Sequence, residues 1–340
     1  MTGVQTCALP ISVNPTNDTA MQRRRFAKLA LAAINAPWLG GCATTYFDRA
    51  PPTGSLLEDP GFVAPPKGTQ RACALVLSGG GARGFAHLGV LRVLEREGLR
   101  PDLVVGSSAG AIVGALWASG MTVAEIEKAF DQLDWSVLFD FDPVRAVLGG
   151  IGLGLMRGDR FEQFLRQYLS KPIEVFPTPF AAVATDMENA ETVTLNHGDA
   201  AKGVRASCAV PALYAPVRAR GRLLADGQVT SPLPVPSARL LGAVNVLAVD
   251  TIFPPQHAEM TNPISMLFQS SVVSGWRHLL VERTQANLVI SPEIRTSAQL
   301  GLASRNWVIE AGEKAALDQA VGIRRLFAAP AKAALKTNAL

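Results

Sequence analysis

Two glycine-flanked segments carry the residues that could do chemistry in this chain. Gly106-Ser107-Ser108-Ala109-Gly110 follows the apolar run Leu103 to Val105 and opens a helix of small residues reaching Ser119. A G-x-S-x-G placed on strand, turn and helix is the arrangement that holds a serine hydroxyl up on a sharp turn, the two glycines removing side chains that would collide there. Ser108 is therefore the candidate nucleophile, and Ala109 N–H points at the developing oxyanion; Ser107 is the neighbouring decoy, its side chain expected to face elsewhere. Upstream lies Gly79-Gly80-Gly81-Ala82-Arg83-Gly84, between the apolar strand Cys73 to Leu77 and a helical pattern from Phe85 to Glu97. Consecutive glycines at a helix start expose backbone N–H groups where the helix dipole favours negative charge, which is how an oxyanion hole is built.

That loop also satisfies G-x-G-x-x-G, so nucleotide binding has to be weighed. A dinucleotide site wants an acidic residue at the end of the second strand, where this chain has Gly106, and a phosphate loop wants Lys and Ser or Thr after Gly84, where it has Phe85-Ala86. Both fail.

A serine hydroxyl needs a base. Four histidines are present: His87 within the first helix, then His197, His257 and His278. A Ser-His-Asp esterase would use His257 or His278. The competing base is Asp226, at the end of the short strand Arg222 to Asp226 before Gly227. A carboxylate deprotonates serine directly only when placed against the hydroxyl and partly desolvated, since its unperturbed pKa of about 3.9 makes it a weak base in water.

These segments resemble the signature motifs of bacterial patatin-like phospholipases: Gly79 to Gly84, then Gly106 to Gly110, then Asp226-Gly227. The flanks Phe85 to Leu91, Ala184-Thr185-Asp186, Ala206 to Pro211 and Pro232 to Val235 resemble the family as well, so the likeness runs from about Ala74 to Thr251. It implies a three-layer α/β sandwich with a mostly parallel central sheet and helices on both faces. It also implies a Ser-Asp dyad, with Ser108 as nucleophile, Asp226 as base, and Gly79, Gly80, Gly81 and Ala109 as oxyanion hole. Arg83, Gly84, Gly106, Gly110 and Gly227 support the motifs. Gln228 departs from the Gly or Ala usual in the family, so the turn carrying Asp226 must accept a side chain. Arg83, His87 and Asp186 each have a structural reading beside the functional one: loop support, a packed core histidine and a turn acceptor. No cofactor is implied, and no metal constellation appears.

The elements that must position these groups alternate. Strand, glycine turn and helix occur twice by Ser119, which argues for a parallel sheet with crossover helices. A helix is expected from Thr122 to Leu133, strands at Phe180 to Thr185, Glu191 to Leu195, Val244 to Asp250 and Asn287 to Ile290, and helices from Pro263 to Thr284 and Asn306 to Phe327. The glycine-rich apolar stretch Val147 to Met156 is expected to be a lid or acyl-chain contact, or simply core.

The 340 residues are 48% hydrophobic and 18% charged, which excludes a disordered protein. Of the formal charge of +4, three units sit at the amino terminus: residues 1–41 hold Arg23, Arg24, Arg25 and Lys28 against Asp18, leaving the remainder within one charge of neutral. Nucleic acid is thereby an unexpected partner. Met21, the arginines, the apolar stretch Leu29 to Leu39 and Gly40-Gly41-Cys42 read as a lipoprotein signal peptide, the stretch being too short to span a bilayer, which takes about 20 apolar residues. Cys42 is the expected lipidation site. Arg23 to Lys28 also resembles a twin-arginine export motif. Residues 1–20 carry no basic residue, and Met1 to Ser12 resembles a translated sequencing adapter.

The expected organisation is therefore a spurious extension over 1–20, a signal over 21–41, a Pro/Gly-rich tether over 42–70, an acyl hydrolase domain over 71–295 and a helical extension over 296–340 packing on it. Cys73 and Cys208 sit in apolar runs and are expected to be buried thiols. The expected protein is an exported, lipid-anchored acyl hydrolase of the bacterial envelope, on the periplasmic side of the outer membrane, acting on membrane phospholipid, lysophospholipid or another lipid ester; nothing names a protein partner. A Ser-His-Asp esterase and a non-catalytic lipid-binding lipoprotein are the alternatives.

Overall fold

The computed structural model describes residues 57–133, 137, 140, 153–257, 260, 262–294 and 305–329. The expected signal, Cys42 and the tether up to residue 56 lie outside them. The strands are β1 (Arg71–Leu77), β2 (Leu103–Ser107), β3 (Gly154–Met156), β4 (Phe180–Asp186), β5 (Glu191–Leu195), β6 (Ala212–Tyr214), β7 (Val217–Ala219), β8 (Arg222–Asp226), β9 (Ala243–Val249) and β10 (Leu288–Ile290). The helices are α1 (Ala86–Arg96), α2 (Ala109–Ala118), α3 (Val123–Asp131), α4 (Asp159–Tyr168), α5 (Ala200–Ser207), α6 (Val235–Leu240), α7 (Pro263–Gln285), α8 (Arg305–Asp318) and α9 (Ala320–Ala328).

The main sheet runs β10-β9-β1-β2-β4-β8-β7, with β5 also on β4. Pairing is parallel from β10 to β4 and antiparallel at β5, β8 and β7. Both faces are covered, as a parallel sheet requires. Along β1, Leu75 and Leu77 enter one core with Leu88 and Leu91 of α1 and Leu116 of α2, while Ala74 and Val76 enter a second with Val235 of α6 and Leu279 of α7. This is the expected three-layer α/β sandwich.

The register along β4 determines where the site can form. A strand has two edges; β5 takes one, along Ala182 to Asp186. The other is shared: β2 covers Phe180 to Val183, pairing Ser107 with Val183, and β8 runs in from the opposite direction to pair Asp226 with Ala184. β2 and β8 thus end against neighbouring residues of β4. The residues at their tips meet there.

Local signals set the helix ends. Thr122 and Glu125 form a reciprocal capping box at α3, Asn262 and Ser265 another at α7 with Pro263 behind the cap, and Asp199 caps α5 by accepting from Lys202 N–H. The helix expected over Asn306 to Phe327 is broken at Gln319 into α8 and α9. Gly89 of α1 and Gly312 of α8 bring the two backbones together: a Cβ on Gly89 would lie 2.0 Å from Ile309 O. The carboxyl end of the expected tether is fastened to the domain instead of hanging free. Gly61 bridges to His197, Lys202 pairs with Asp59 at 2.5 Å, and Arg220 pairs with Glu58 at 3.2 Å.

Candidate active site

Ser108 sits between β2 and α2 with φ 51° and ψ −123°, a conformation non-glycine residues avoid. Its neighbours show why. A Cβ on Gly106 would lie 2.4 Å from Gly110 O, and one on Gly110 would lie 2.3 Å from Leu77 O. Ser108 N–H donates to Ser207 Oγ at 3.0 Å, and Ser207 Oγ donates in turn to Val183 O at 2.5 Å. The Cys208 thiol donates to Ser108 O at 3.3 Å. Carbonyl and amide of the strained residue are therefore both held from the end of α5. Ser107 is fully buried, its hydroxyl beside Gly227 with no hydrogen-bond partner among the described residues.

Ser108 Oγ donates to Asp226 Oδ2 at 2.7 Å. Asp226 is 1% exposed, and its other oxygen accepts from Gln228 N–H at 2.8 Å. Burial pushes its carboxyl from 3.8 up to about 7, a rise only partly offset by the bonds from Gln228 N–H and Ser108. Its backbone is fixed by Asp226 N–H donating to Ala209 O and by Thr185 Oγ1 donating to Asp226 O. Gln228, the departure noted in the sequence, is accommodated: its N–H holds the carboxylate, and its carboxamide lies over Gly79, where a Cβ would be 2.3 Å from Oε1.

The glycine loop closes a triangle with the other two segments. It touches the Ser108 elbow through Gly110 against Leu77 and Ser78 and through Gly84 against Ala109; it touches the Asp226 turn through Gly79 against Gln228. Its peptide planes are clamped. In the first, Ser78 O accepts from His87 Nε2–H at 2.9 Å and Gly79 N–H donates to Pro232 O at 3.0 Å. In the second, Gly79 O accepts from Ser78 Oγ at 2.8 Å and Thr251 Oγ1 at 2.9 Å. In a trans peptide the N–H points opposite the carbonyl, so these bonds fix the direction of Gly80 N–H. This corrects one expectation: Gly79 N–H is engaged by Pro232 and is not a free oxyanion donor. The N–H groups of Gly80, Gly81 and Ala109 make no bond to a described residue outside their own helices.

No histidine meets Ser108 among the described side chains. His87 donates to Ser78 O from a fully buried position, and desolvation pulls it down to about 4, so it is a neutral loop support. His197 lies 3.4 Å from Glu174 at the surface, and His278 is exposed on α7. The side chain of His257 is outside the described residues. Asp186 takes the turn role, accepting from Glu188 N–H, Asn189 Nδ2 and Arg222. Arg83 donates to Thr251 O at 3.2 Å and stacks 4.7 Å over the Phe253 ring. Cys73 and Cys208 are buried free thiols. Among the described residues no three His, Cys, Asp or Glu side chains converge as metal ligands.

Of the apolar stretch Val147 to Met156, residues 147–152 lie outside the described set. The remainder ends in β3, which pairs with β6; Met156 packs on Val210 and Leu213, just beyond Cys208, while Leu153 and Leu155 face outward.

A serine on a strained strand-helix turn, bonded to a buried carboxylate beside clamped backbone amides, is an arrangement on an α/β fold that can carry out acyl transfer. Comparison with known proteins narrows the class. Residues 75–239 match the model of the patatin-like phospholipases, and this part of the chain belongs to that family. An uncharacterized NTE family protein of Mycobacterium tuberculosis is 36% identical over 163 residues, 48% of this chain and 44% of that one. The human patatin-like phospholipase domain-containing protein 6 is 33% identical over 185 residues, 54% of this chain and 13% of that one. A lysophospholipase of Lodderomyces elongisporus is 31% identical over 191 residues, 54% of this chain and 13% of that one. The matched segments thus span less than half the length of these relatives. Among solved structures, VipD from Legionella pneumophila aligns over 79% of this chain and 70% of that one, at 17% identity and a TM-score of 0.46.

Proposed function

We propose that this protein is a lipid acyl hydrolase of the phospholipase A or lysophospholipase type, working through a Ser108-Asp226 dyad at a membrane surface. The observation that carries the reading is the 2.7 Å bond from Ser108 Oγ to a buried carboxylate, on a turn packed against a glycine loop whose Gly80 and Gly81 amides make no bond to a described residue outside their own helix. Asp226 takes the Ser108 proton as Oγ attacks the ester carbonyl. The N–H groups of Gly80, Gly81 and Ala109 receive the tetrahedral oxyanion, and collapse expels the alcohol, which takes the proton back from Asp226. Water then repeats the sequence on the acyl-enzyme, with Asp226 again as base, and the fatty acid leaves. Burial suits Asp226 to this role, because a carboxyl titrating near neutrality is a far better base than one titrating near 4.

In this reading the β3–β6 ribbon with Leu153 and Leu155 contacts lipid, and the protein is exported and held through Cys42 on the periplasmic side of the outer membrane. No described helix is long and apolar enough to cross a membrane. Lipid mass spectrometry of mixed bacterial lipids incubated with purified wild type or Ser108→Ala is the direct test. Loss of acyl-intact phospholipid with release of fatty acid, present for wild type and absent for the variant, is the expected result. Identical lipid profiles for the two would leave a non-catalytic lipid-binding protein.

A further inference from the structure

Helix α7 lies beyond the stretch that matches the family, yet it reaches the site in two places. At Gly275 it comes so close to the Asp226 turn that a Cβ would be 2.2 Å from Gln228 O. Two turns further on, Glu282 is 4% exposed and inserts its carboxylate into the segment Ser231 to Leu233. Ser231 Oγ donates to one carboxylate oxygen, and Leu233 N–H donates to the other at 2.9 Å. Pro232 lies between these two bonds, and its carbonyl accepts Gly79 N–H at 3.0 Å.

We propose that Glu282 is a positioning residue for the oxyanion loop: by gripping the residues on both sides of Pro232, it aims the carbonyl that anchors the first peptide plane of the glycine loop. The kinetic consequence rests on the acyl hydrolase reading; the structural one does not. Pro232 itself has no N–H, so the segment depends on its neighbours for hydrogen bonding. Ser231 and Leu233 are both buried, so without the carboxylate their O–H and N–H would lose their partners in a place water does not reach. Arg283, the next residue, pairs with Asp250 instead, leaving Glu282 to the loop. The carboxylate is thus held by the segment it orders.

Burial also pushes the Glu282 carboxyl up to about 7, with Asp250 adding to the rise against the bonds from Ser231 and Leu233. A neutral group can hold the same place, because an amide would accept from Leu233 N–H while donating to Ser231 Oγ. That makes Glu282→Gln the conservative variant and Glu282→Ala the disruptive one.

The test compares full-length wild type, Glu282→Ala, Glu282→Gln and Ser231→Ala in two readouts: kcat and KM on a soluble short-chain ester, and hydrogen-deuterium exchange of the segment carrying Gly79. Glu282→Ala is expected to lower kcat about tenfold or more with KM nearly unchanged, and to speed exchange at the loop. Glu282→Gln restores both, and Ser231→Ala falls between. Wild-type kcat and exchange in Glu282→Ala would overturn the proposal, as would a change confined to KM or a Gln variant as damaged as the Ala variant. Should Glu282→Ala fail to fold, Ser231→Ala decides, since unchanged kcat and exchange in that variant contradict the grip. If wild type shows no Ser108-dependent turnover, the hydrolase reading falls, while exchange still decides whether Glu282 holds the loop.

Discussion

The two halves of the candidate dyad are built by different physics. Ser108 is placed by sterics within a few residues: a strand end, a forced turn and two glycines at which any side chain would collide with backbone. Asp226 is placed by tertiary structure: an antiparallel strand meeting β2 on one edge of β4, a carboxylate buried to 1% exposure, and Gln228 packed over the glycine loop. The serine half resists backbone change, whereas the aspartate half is tuned by solvation and by distant contacts. Strain is stored on one side and charge desolvation on the other.

Replacing the reacting atoms should separate the halves most sharply. Ser108→Ala and Asp226→Asn are each expected to lower kcat by about a thousandfold or more. Their stabilities should diverge. The Asp226 carboxyl titrates near 7 in the folded protein against 3.8 ordinarily, so the native state retains a proton between those values and loses stability as pH rises through them. Asn never ionises, and its amide can donate to Ser108 Oγ while its oxygen accepts from Gln228 N–H. Asp226→Asn should therefore melt higher than wild type at pH 8, with the gap closing toward pH 4; Ser108→Ala should show no such gap. Thermal melts across that range check it.

Glycine replacements come next. Gly110→Ala would drive a Cβ into the backbone of Leu77 and Ser78, and is expected to abolish soluble folded protein. In Gly79→Ala the nearest obstacle is the end of the Gln228 side chain, so a second change can remove it. Gly79→Ala should lose activity, and Gly79→Ala with Gln228→Ala should regain most of it; rates on a soluble ester for the single and double variants decide this. A smaller effect, about tenfold in kcat with KM unchanged, is expected for Ser207→Ala, which frees the N–H of the strained residue. Charging Leu153 and Leu155 to Glu should lower activity on phospholipid vesicles more than on a soluble ester; equal losses would remove the lipid-contact role of the ribbon.

The contrast between the halves also explains what could be read in advance. The elbow, the glycine loop and the strands leading into them were legible because their constraints are local and glycine or apolar runs mark them. Ser207 and Pro232 fall in segments that resemble the family, but nothing local marks what they hold, and Glu282 carries no mark at all: each acts on a residue far away in the chain, and α5 is too rich in small residues to show helical spacing. Of the three-residue strands, β10 is legible as the apolar run Leu288-Val289-Ile290, whereas β3, β6 and β7 are too short to show alternation. Gly79 was expected among the oxyanion donors because a glycine run exposes its amides, and only the fold brings Pro232 O to its N–H.

The central claim is that Asp226, and no histidine, activates Ser108. It is tested most directly by the rate at which a fluorophosphonate probe modifies Ser108, followed by intact mass from pH 5 to 9. The rate is expected to rise with pH through a single ionisation near 7, because only the ionised carboxylate accepts the serine proton, and to do so equally in His257→Ala and His278→Ala. In Asp226→Asn the limb should vanish and labelling should be slow at every pH. A limb that survives in Asp226→Asn, or disappears with either histidine, would contradict the account.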